Sequence, residues 1–587
     1  MKKQSSFLLA LVAIVSLFNV GCKNQEVADM VIYGTIRTAE VDAPTAEAIA
    51  IKDGKYIYVG DKAGAAAFIK EGVTEVVDHT GKGMVMPGCT EGHAHYLTGN
   101  LIVGMKGVII SHTDDDVKSC LQKLKTAYDE AKASGKTSII GFGWNYVTFL
   151  NQGFPSREQL DAISPDIPVL LLDSEGHKGL ANTACLCKAG VMDEKGNVLI
   201  SKLRGGEICM DAKGKPNGLL LEQASTFVRG RGLDFANLVT DEVASQAVLA
   251  SQQMLLANGY TAYMDGWSNS FGEAVYPAAE ILDQQGKLNI LLGMSYEFES
   301  TSSDVDAHIA HAVELKKYSK GHVNANFIKL FIDGTVEGGT GLTLDPYPDG
   351  HEGISNWEED EVADITAKAN AQGLTMHIHT MGDKAAHRAV NAFVNNGTKE
   401  ARNTIVHVRN LPDEDFQRIA DHDIVAVVGI LWHLLADEMR ETVKKLAPAN
   451  VALKSYPMKS YFDHGAIITS HCDFPATAGS PYDPFSIMEI AVSGSILNPA
   501  TGQNTTPWWP EELITREQAL QALTINGAYQ LHCEQDRGSI KVGKYADFVL
   551  ADQDVFDCSV TDIHRTKVVS TWFEGEKVYQ APTAIIQ

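Results

Sequence analysis

The chain has 587 residues, more than one hydrophobic core normally organises, so a large domain and a smaller one are expected. Its net charge of -25 argues against a nucleic-acid partner, because phosphate binding needs basic patches, and we assign the charge to solubility. Eight of the nine cysteines follow Cys22, which is too sparse for a disulfide scaffold in a chain of this length.

The N-terminus has the layout of a secretory signal. Lys2 and Lys3 precede the apolar residues 7–18, a run too short to span a bilayer. Gly21-Cys22 then resembles a bacterial lipoprotein cleavage site, although another residue stands where leucine is usual. We therefore predict that residues 1–22 are a signal and that the protein is a periplasmic or cell-envelope lipoprotein, which touches a membrane only through a lipid on Cys22. Plain secretion with cleavage nearby is the alternative.

Short strand signals fill both ends of the mature chain. Residues 27–85 include the Asp53-Gly54 turn between two short apolar strands. Residues 546–579 are similarly rich in β-branched and aromatic side chains, which favour a pleated sheet. Both ends of the chain are therefore predicted to form β-structure.

A pair of histidines follows the first of these segments. The apolar residues 84–86 stop at a Pro-Gly turn, and His93 and His95 come next with one residue between them. Side chains at positions i and i+2 of an extended strand point to the same face. Both imidazoles can therefore reach one ion at the distance of about 2.0–2.1 Å that is typical of zinc. Alone, this motif has a high false-positive rate.

Seven further apolar runs follow, and they are typical of buried parallel strands because they are continuous rather than alternating. Segments long enough for a helix separate most of the later runs, such as residues 361–372 and 413–421. With residues 84–86 these runs make eight strands, and they predict an α/β protein built on a (β/α)8 TIM barrel, whose active site lies at the carboxyl ends of its strands. The interval 101–239 exceeds a typical βα connection and is predicted to be an inserted subdomain. The seven runs are residues 259–265, 288–294, 326–333, 373–379, 403–407, 423–429 and 466–473.

Chemically active side chains lie in these runs. His379 and His407 end two of them, Asp473 ends the last, and Lys329 lies inside another. Neutral imidazoles and a carboxylate are suitable zinc ligands, and together with the earlier histidine pair they favour a metal centre. Each residue has an alternative role. A buried histidine can simply be hydrogen-bonded in a core, Asp473 can cap the following helix, and Lys329 can pair with Asp333 or another carboxylate.

Short motifs recur along nearly the whole mature chain in an order that is typical of one enzyme superfamily. They comprise residues 46–54, the His93-x-His95 turn, Gly143-Trp144-Asn145, Leu160-Asp161, Gly176-His177, Asn182, residues 327–334, His379-Thr380-Met381-Gly382-Asp383 and residues 538–547. On these motifs the chain resembles the amidohydrolase superfamily of metal-dependent hydrolases, specifically the amidohydrolase 3 branch, which includes N-substituted formamide deformylases. Two departures affect the neighbours of the ligands. Val406 stands where the family usually has Glu before the strand-six histidine, and His471-Cys472-Asp473 replaces Gly-Ser-Asp.

The resemblance implies a domain plan and a metal centre. Residues 86–534 would form the barrel, and residues 23–85 and 535–587 would join as one composite β-sandwich. In the superfamily a strand-four lysine is often carboxylated to an anionic carbamate that bridges two metals, which implies this modification for Lys329. The cofactor is predicted to be zinc or another divalent metal, as one or two ions. The predicted ligand set is His93, His95, Lys329, His379, His407 and Asp473.

Three more residues are predicted to lie near this centre. His377 shares a strand face with His379 and is expected to support the ligands. His177 and Trp144 lie in motifs of the insertion and are candidates for contact with the substrate or the ligands. A surface position is the alternative for His177.

The predicted reaction is hydrolysis of a carbon–nitrogen bond other than a peptide bond, in a small N-acyl amine or formamide. A metal lowers the pKa of bound water from 15.7 to about 7, and the resulting hydroxide attacks the carbonyl. Asp473 accepts the proton and passes it to the leaving amine. One alternative is an ester or lactone hydrolase with the same centre. Another is a non-catalytic ligand-binding lipoprotein, which would have lost at least one ligand. The sequence identifies neither the substrate nor the oligomeric state, because the loops that line such sites vary independently.

Overall fold

The computed structural model describes residues 26–111, 115–302, 304–434, 444–453, 455–476, 483–498 and 503–582. The signal and lipidation site predicted at residues 1–22 lie outside the described residues. Within the described part, no helix is both long and apolar enough to span a membrane.

Eight parallel strands form a nearly closed barrel, as predicted, and each pairs with the next along the chain. Their side chains are buried almost throughout, which explains why the strands appear in the sequence as continuous apolar runs. Strands one and eight meet without a regular ladder; the amide of Asp473 donates a hydrogen bond to the carbonyl of His93 over 3.3 Å. The barrel strands, one to eight, are Cys89–Ala94, Tyr260–Asp265, Leu291–Glu297, Val323–Phe331, Thr375–Thr380, Thr404–His407, Val425–Val428 and Ile467–Ser470.

Helices between the strands cover the barrel. The predicted helix at residues 413–421 is present as Asp413–Asp421, with three acidic residues in its first turn, where they favour the helix dipole. The one predicted at residues 361–372 begins earlier, at Glu359. The α-helices of the barrel are Asp241–Ala257, Val275–Gln284, Val305–Leu315, Glu359–Ala371, Asp383–Asn396, Asp413–Asp421, Ala449–Leu453, Met458–Asp463, Pro484–Ser493, Arg516–Leu523 and Ile525–Gln530; 3-10 turns occur at Lys316–Tyr318, Lys399–Ala401, Ile430–His433, Pro510–Glu512 and Val560–Arg565, and a short hairpin pairs Leu497–Asn498 with Gln503–Asn504.

The prediction that residues 84–86 are the first barrel strand was wrong. The strand Met84–Pro87 pairs with Phe548–Ala551 outside the barrel. The first barrel strand is Cys89–Ala94, which follows the turn at Gly88. This strand contains polar residues and is therefore not an apolar run in the sequence, yet all six of its residues are buried. The polar side chains of this strand lie inside the protein rather than in solvent, which local sequence does not reveal.

Strands from both ends of the chain join in one eight-stranded sheet beside the barrel. Its apolar face packs residues of both ends into one cluster, among them Ile49, Val85, Phe548 and Trp572. The fold therefore needs both ends of the chain to bury this face. The strands are Met30–Arg37, Thr45–Lys52, Lys55–Gly60, Glu75–Asp78, Met84–Pro87, Phe548–Ala551, Val568–Phe573 and Glu576–Gln580, with one short helix at Lys62–Ala66.

The chain between barrel strands one and two contains a second sheet, of six strands, with its own hydrophobic cluster. Trp144, Phe149 and Leu171 belong to that cluster. The strands of this insertion are Val108–Ile109, Ile139–Trp144, Val169–Asp173, Lys178–Ala181, Gly206–Met210 and Pro216–Glu222, and its helices are Tyr96–Gly104, Val117–Ser134, Tyr146–Gln152, Arg157–Ile163, Thr183–Lys188, Gln223–Gly232 and Phe235–Leu238.

Candidate metal centre and active site

The carboxyl ends of the barrel strands bring five of the predicted side chains into one place. His93 lies in strand one, and His95 follows it as the residue before the helix Tyr96–Gly104. His379 lies in strand five and His407 ends strand six. Asp473 lies three residues beyond strand eight, where the chain turns back toward strand one.

Two overlapping groups of side chains could each hold a metal ion. His93, His95 and Asp473 form the first group; His407, His471 and Asp473 form the second. In each group the ligand atoms lie within 4.8 Å of one another. Asp473 Oδ1 is 3.4 Å from His93 Nε2 and 3.3 Å from His95 Nε2. A shared carboxylate at the centre of two groups suits one ion or two.

Backbone strain accompanies this geometry. Asp473 has φ +55° and His407 has φ +72°, both in the left-handed region that side chains with a Cβ avoid. That conformation costs about 1–2 kcal/mol for each residue. Non-glycine residues held there occur preferentially at functional sites, because the surrounding contacts must fix them. The two strained residues are the carboxylate common to both groups and one of its histidine neighbours.

His471 is a member of the second group that sequence reasoning missed. In the sequence, His471 stands out only as a departure from the usual Gly-Ser-Asp triplet of the family that the chain resembles. The signal was present, because His471 stands two residues before Asp473, the same spacing as in the pair His93 and His95. Its ring centroid lies 4.9 Å from that of His407.

Burial keeps the imidazoles of His93, His379, His407 and His471 neutral. It lowers the pKa of His471 to about 4 and holds the pKa values of His93, His379 and His407 well below their ordinary range. Burial alone would raise the pKa of Asp473, but the neighbouring His95 outweighs it and holds that pKa below its usual value. Neutral imidazoles beside an ionised carboxylate are the protonation states that bind a divalent cation.

Unpartnered polar atoms cluster here, and they test whether a cation fits. Among the described residues, six of the seven candidate ligands each have a buried atom without a hydrogen-bond partner. An unsatisfied buried polar group costs about 1–3 kcal/mol, so several together indicate a missing partner common to them. Nitrogen and carboxylate donors suit zinc. The atoms are His93 Nε2, His95 Nδ1, Lys329 Nζ, His379 Nδ1, His471 Nδ1 and Asp473 Oδ1.

Lys329 is fully buried in strand four without a carboxylate partner among the described residues. Its Nζ lies 4.3 Å from the ring centre of Phe331. The alternative of an ion pair with Asp333 was wrong, because Asp333 accepts backbone N–H groups from Leu342, Met381 and Gly382 instead. Burial lowers the pKa of Lys329 to about 7. A large fraction of this amine is therefore uncharged at neutral pH.

The two histidines of strand five differ in their contacts. His377 Nε2 lies 2.7 Å from His93 Nδ1, so it orients a residue of the first group. His379 Nε2 lies 3.2 Å from the carbonyl oxygen of Gly334, and its ring centroid is 4.5 Å from that of His407. His379, predicted as a ligand, therefore borders the centre but belongs to neither group of three.

The insertion contributes His177 to the same site. Its Nδ1 lies 2.6 Å from Glu222 Oε2, and the other oxygen of Glu222 accepts a hydrogen bond from the Thr340 hydroxyl over 2.7 Å. Burial opposes protonation of His177, but the Glu222 carboxylate outweighs it and raises the pKa of the imidazole. The His177 ring lies 5.0 Å from the His379 ring, so His177 faces the centre rather than the surface.

Trp144 does not contact this site, and its prediction was wrong. The indole is fully buried in the insertion, stacks on Phe149 at 5.1 Å and donates to the carbonyl of Leu171 over 2.9 Å. Its strand shifts register between Phe142 and Trp144 at Gly143, which has φ +113°. The irregularity turns Trp144 into the core, while Phe142 lines the cleft above the metal centre.

Three buried carboxylates near the centre also escaped sequence reasoning. Glu91 accepts backbone N–H groups from His93 over 3.2 Å and from Cys472 over 3.1 Å, and so connects strands one and eight. Burial raises the pKa values of Glu91 and Glu297 to about 8. Asp265 accepts a hydrogen bond from the Ser268 hydroxyl over 2.9 Å. A position at a strand end was the available signal for Asp265 and Glu297.

A cleft opens above the centre, between the barrel and the insertion. His95, His379, His407 and Asp473 form part of its wall. The insertion supplies most of the opposite wall, including His177, Glu222 and Arg229. A small molecule in this cleft would contact both units.

Comparisons with known proteins cover nearly the whole chain. A family model described as "Amidohydrolase family" matches residues 75–579. The chain is 28% identical to the protein LONG AFTER FAR-RED 3 of Arabidopsis thaliana, over 94% of this chain and 92% of the plant protein. It is 25% identical to N-substituted formamide deformylase of Arthrobacter pascens, over 94% and 98%. The crystal structure of an uncharacterized metal-dependent hydrolase from Pyrococcus horikoshii OT3 matches with a TM-score of 0.68 at 22% identity, over 90% and 99%.

Proposed function

This chain belongs to the amidohydrolase family of metal-dependent hydrolases, as its motifs predicted, and on that premise we propose that it hydrolyses small N-acyl amines or formamides. The observation that supports the proposal most is the pair of side-chain groups that share Asp473, at the bottom of an open cleft. The similarity to an enzyme named N-substituted formamide deformylase supports a formamide or related amide as substrate.

The proposed cofactor is zinc or another divalent metal, as one or two ions. His93, His95 and Asp473 would hold one ion, and His407 and His471 would complete a second position with the same carboxylate. Such a cation lowers the pKa of water toward 7 and polarises a carbonyl oxygen. The neutral imidazoles of His93, His407 and His471 need no deprotonation before they bind it.

Asp473 is the proposed base and acid. Its carboxylate is ionised at neutral pH and lies beside two histidines that orient it. It would take a proton from the attacking water and return that proton to the leaving nitrogen, so that the amine departs uncharged. His177 is proposed to orient the substrate from the insertion, because its Nδ1 is held by Glu222 and its ring faces the cleft.

Lys329 is the proposed site of carboxylation. With a pKa of about 7 its amine is partly uncharged and can attack carbon dioxide. A nitrogen–carbon bond forms, one amine proton is released, and the product is an anionic carbamate. The change converts a repulsive cation into an anion within reach of the centre. Reconstitution of metal-free protein in carbon-dioxide-free buffer should give little activity, and added bicarbonate should restore it. Full activity without bicarbonate would contradict carboxylation.

A substrate panel tests the proposed function. Metal-replete protein is assayed on formamides, N-acyl amines and esters with the same acyl groups. Amide hydrolysis that chelation abolishes and zinc restores is the expected result. Asp463→Asn serves as a control, because Asp463 is an exposed carboxylate that pairs with Lys459 and does not line the cleft. Hydrolysis of the esters alone would favour an esterase, and no hydrolysis of any compound would contradict the proposal.

We also propose export and anchoring through Cys22. The basic pair Lys2 and Lys3, the apolar residues 7–18 and the small Gly21 before Cys22 support it. Hydrolysis would then take place in the cell envelope rather than in the cytoplasm.

A further inference from the structure

The helix Gln223–Gly232, which follows the last strand of the insertion, presents one face to the cleft. Gln223, Thr226 and Arg229 lie three residues apart along the helix, which places them on the same side. All three are buried and line the cleft together with His95 and Asp473. Gln223 Oε1 has no hydrogen-bond partner within the described residues. This helix face is therefore polar and faces the cleft, and not all of its hydrogen-bonding atoms have partners among the described residues.

Arg229 is the unusual member of the face. Its side chain belongs to a residue that is only 4% exposed, and its guanidinium carbon lies 4.0 Å over the Trp267 ring. Across the described part of the chain it has neither a hydrogen bond nor an ion pair within 4 Å. Arginine carries five N–H donors in a planar fork, and stacking on an aromatic ring leaves the edge of that fork free. A buried charge without a partner is expensive.

The nearest acidic side chains do not neutralise this charge. Glu299 is occupied by Arg231 over 3.1 Å and by the Thr301 hydroxyl over 2.8 Å. Glu297 accepts a hydrogen bond from the Trp267 indole over 3.3 Å. Burial lowers the pKa of Arg229, but only to about 10, so the guanidinium stays protonated.

Trp267 links Arg229 to the metal centre. The centre of the Trp267 ring lies 6.3 Å from the centre of the His95 ring and 4.0 Å from the guanidinium carbon of Arg229. The guanidinium is therefore on the order of 10 Å from the His95 ring at most. That distance leaves room for a scissile amide at the centre and a carboxylate a few bonds away, with its oxygens about 2.7–2.9 Å from the arginine nitrogens.

We infer that Arg229 binds a carboxylate of the substrate, so that the natural substrates are N-acyl amino acids or similar amides that carry a free carboxylate near the scissile bond. The inference rests on the proposed function and narrows it. Arg229 supplies the fork, Trp267 holds the fork in place, and the helix Gln223–Gly232 carries it over the cleft. In a protein with a net charge of -25, this buried cation would select anionic amides over neutral ones.

A purely structural role for Arg229 predicts a different result. If the arginine only joined the insertion to the barrel through Trp267 and Phe271, its replacement would lower kcat/KM equally for every substrate. It would also lower the melting temperature. If Arg229 binds a carboxylate, its replacement lowers kcat/KM for the charged substrates alone, mainly through a higher KM. The two roles are therefore separated by matched substrates.

The test compares Arg229→Met and Arg229→Lys with wild type and with Arg565→Met. Arg565 is a control of equal charge that does not line the cleft; its side chain is 65% exposed and lies 3.3 Å from Asp562. Substrates are N-formyl and N-acetyl amino acids, each beside its uncharged carboxamide. We expect Arg229→Met to lower kcat/KM for the acids by about 30-fold or more, since a buried charge pair is lost. The kcat/KM of Arg229→Met for the carboxamides, and of Arg565→Met for every substrate, should change by less than about threefold. Arg229→Lys keeps the charge but not the fork, and should recover part of the loss.

Calorimetry on the same proteins separates this inference from the proposed function. Binding of N-acetyl amino acids by wild type, weakened about 30-fold or more in Arg229→Met, supports the inference even if none of the amides is hydrolysed. Hydrolysis of carboxamides as fast as acids by wild type would overturn it and leave the proposed function intact. Equal losses for both substrate types, or binding of a phosphate monoester in preference to the carboxylates, would also overturn it.

Discussion

Replacement of Asp473 by asparagine tests proton transfer, because it removes the charge and keeps the shape of the side chain. Asp473 lies 8% exposed between His93 and His95, and its Oδ1 has no hydrogen-bond partner among the described residues. Asparagine keeps the volume and one oxygen, but it carries no charge and cannot accept a proton at neutral pH. The change therefore removes the proposed base without opening a cavity.

The expected loss of rate follows from the proposed role of Asp473 as general base and acid. Loss of general acid–base help costs about 10²–10⁴-fold in rate, which is about 3–5 kcal/mol at 1.36 kcal/mol per tenfold. Loss of one ligand charge also weakens metal binding, because Asp473 belongs to both candidate groups. The four histidines of the two groups remain, so metal in excess should still occupy at least one position. Folding should change little, since asparagine has nearly the same volume and can still contact His93 and His95.

The assay combines three measurements on Asp473→Asn and on the exposed control Asp463→Asn. They are kcat/KM on the best amide of the panel at saturating zinc, bound metal by elemental analysis, and melting temperature. We expect a folded, metal-containing variant that has lost about 10²–10⁴-fold in rate. Turnover near that of wild type would refute the reasoning and assign the proton to another group, with His177 the next candidate because it faces the same cleft.

Three further predictions concern metal, location and stability. His93→Ala combined with His95→Ala should remove most of the bound metal and all chelator-sensitive activity, and full metal content in the double variant would reject the proposed site. Cys22→Ser should release the protein from membrane fractions or block its maturation; unchanged membrane association with an uncleaved N-terminus would instead indicate a retained hydrophobic anchor. Glu574 has its pKa lowered to about 2, chiefly by the hydrogen bond with His322, so its carboxylate stabilises the folded state above its ordinary pKa of 4.5, and this contribution is lost as the pH falls toward 2. Glu574→Gln should thus lower the melting temperature at pH 7 by an amount that shrinks between pH 5 and 3, and a difference independent of pH would contradict this linkage.

The sequence by itself determined the barrel, because seven of its strands are buried on both faces and therefore appear as continuous apolar runs. It also identified the pair His93 and His95, since a spacing of two in extended backbone is a local property, and the carboxylate Asp473, since it ends an apolar run. The first strand, Cys89–Ala94, was missed because its interior face is polar. Burial of polar side chains becomes favourable only when other strands supply their partners.

Contacts between distant segments were decided by tertiary structure alone. His471 joins His407 across 64 positions of the chain, and Arg229 reaches the cleft only because the insertion folds back over the barrel. Trp144 shows the reverse case, in which a local irregularity turns a residue of a recognised motif away from the site. The protonation states follow the same division: residue type gives the ordinary pKa, but burial makes Lys329 partly neutral and the histidines ligand-competent. Local sequence specifies the strands and their faces, whereas the closure of the barrel sets which faces meet and how much water remains between them.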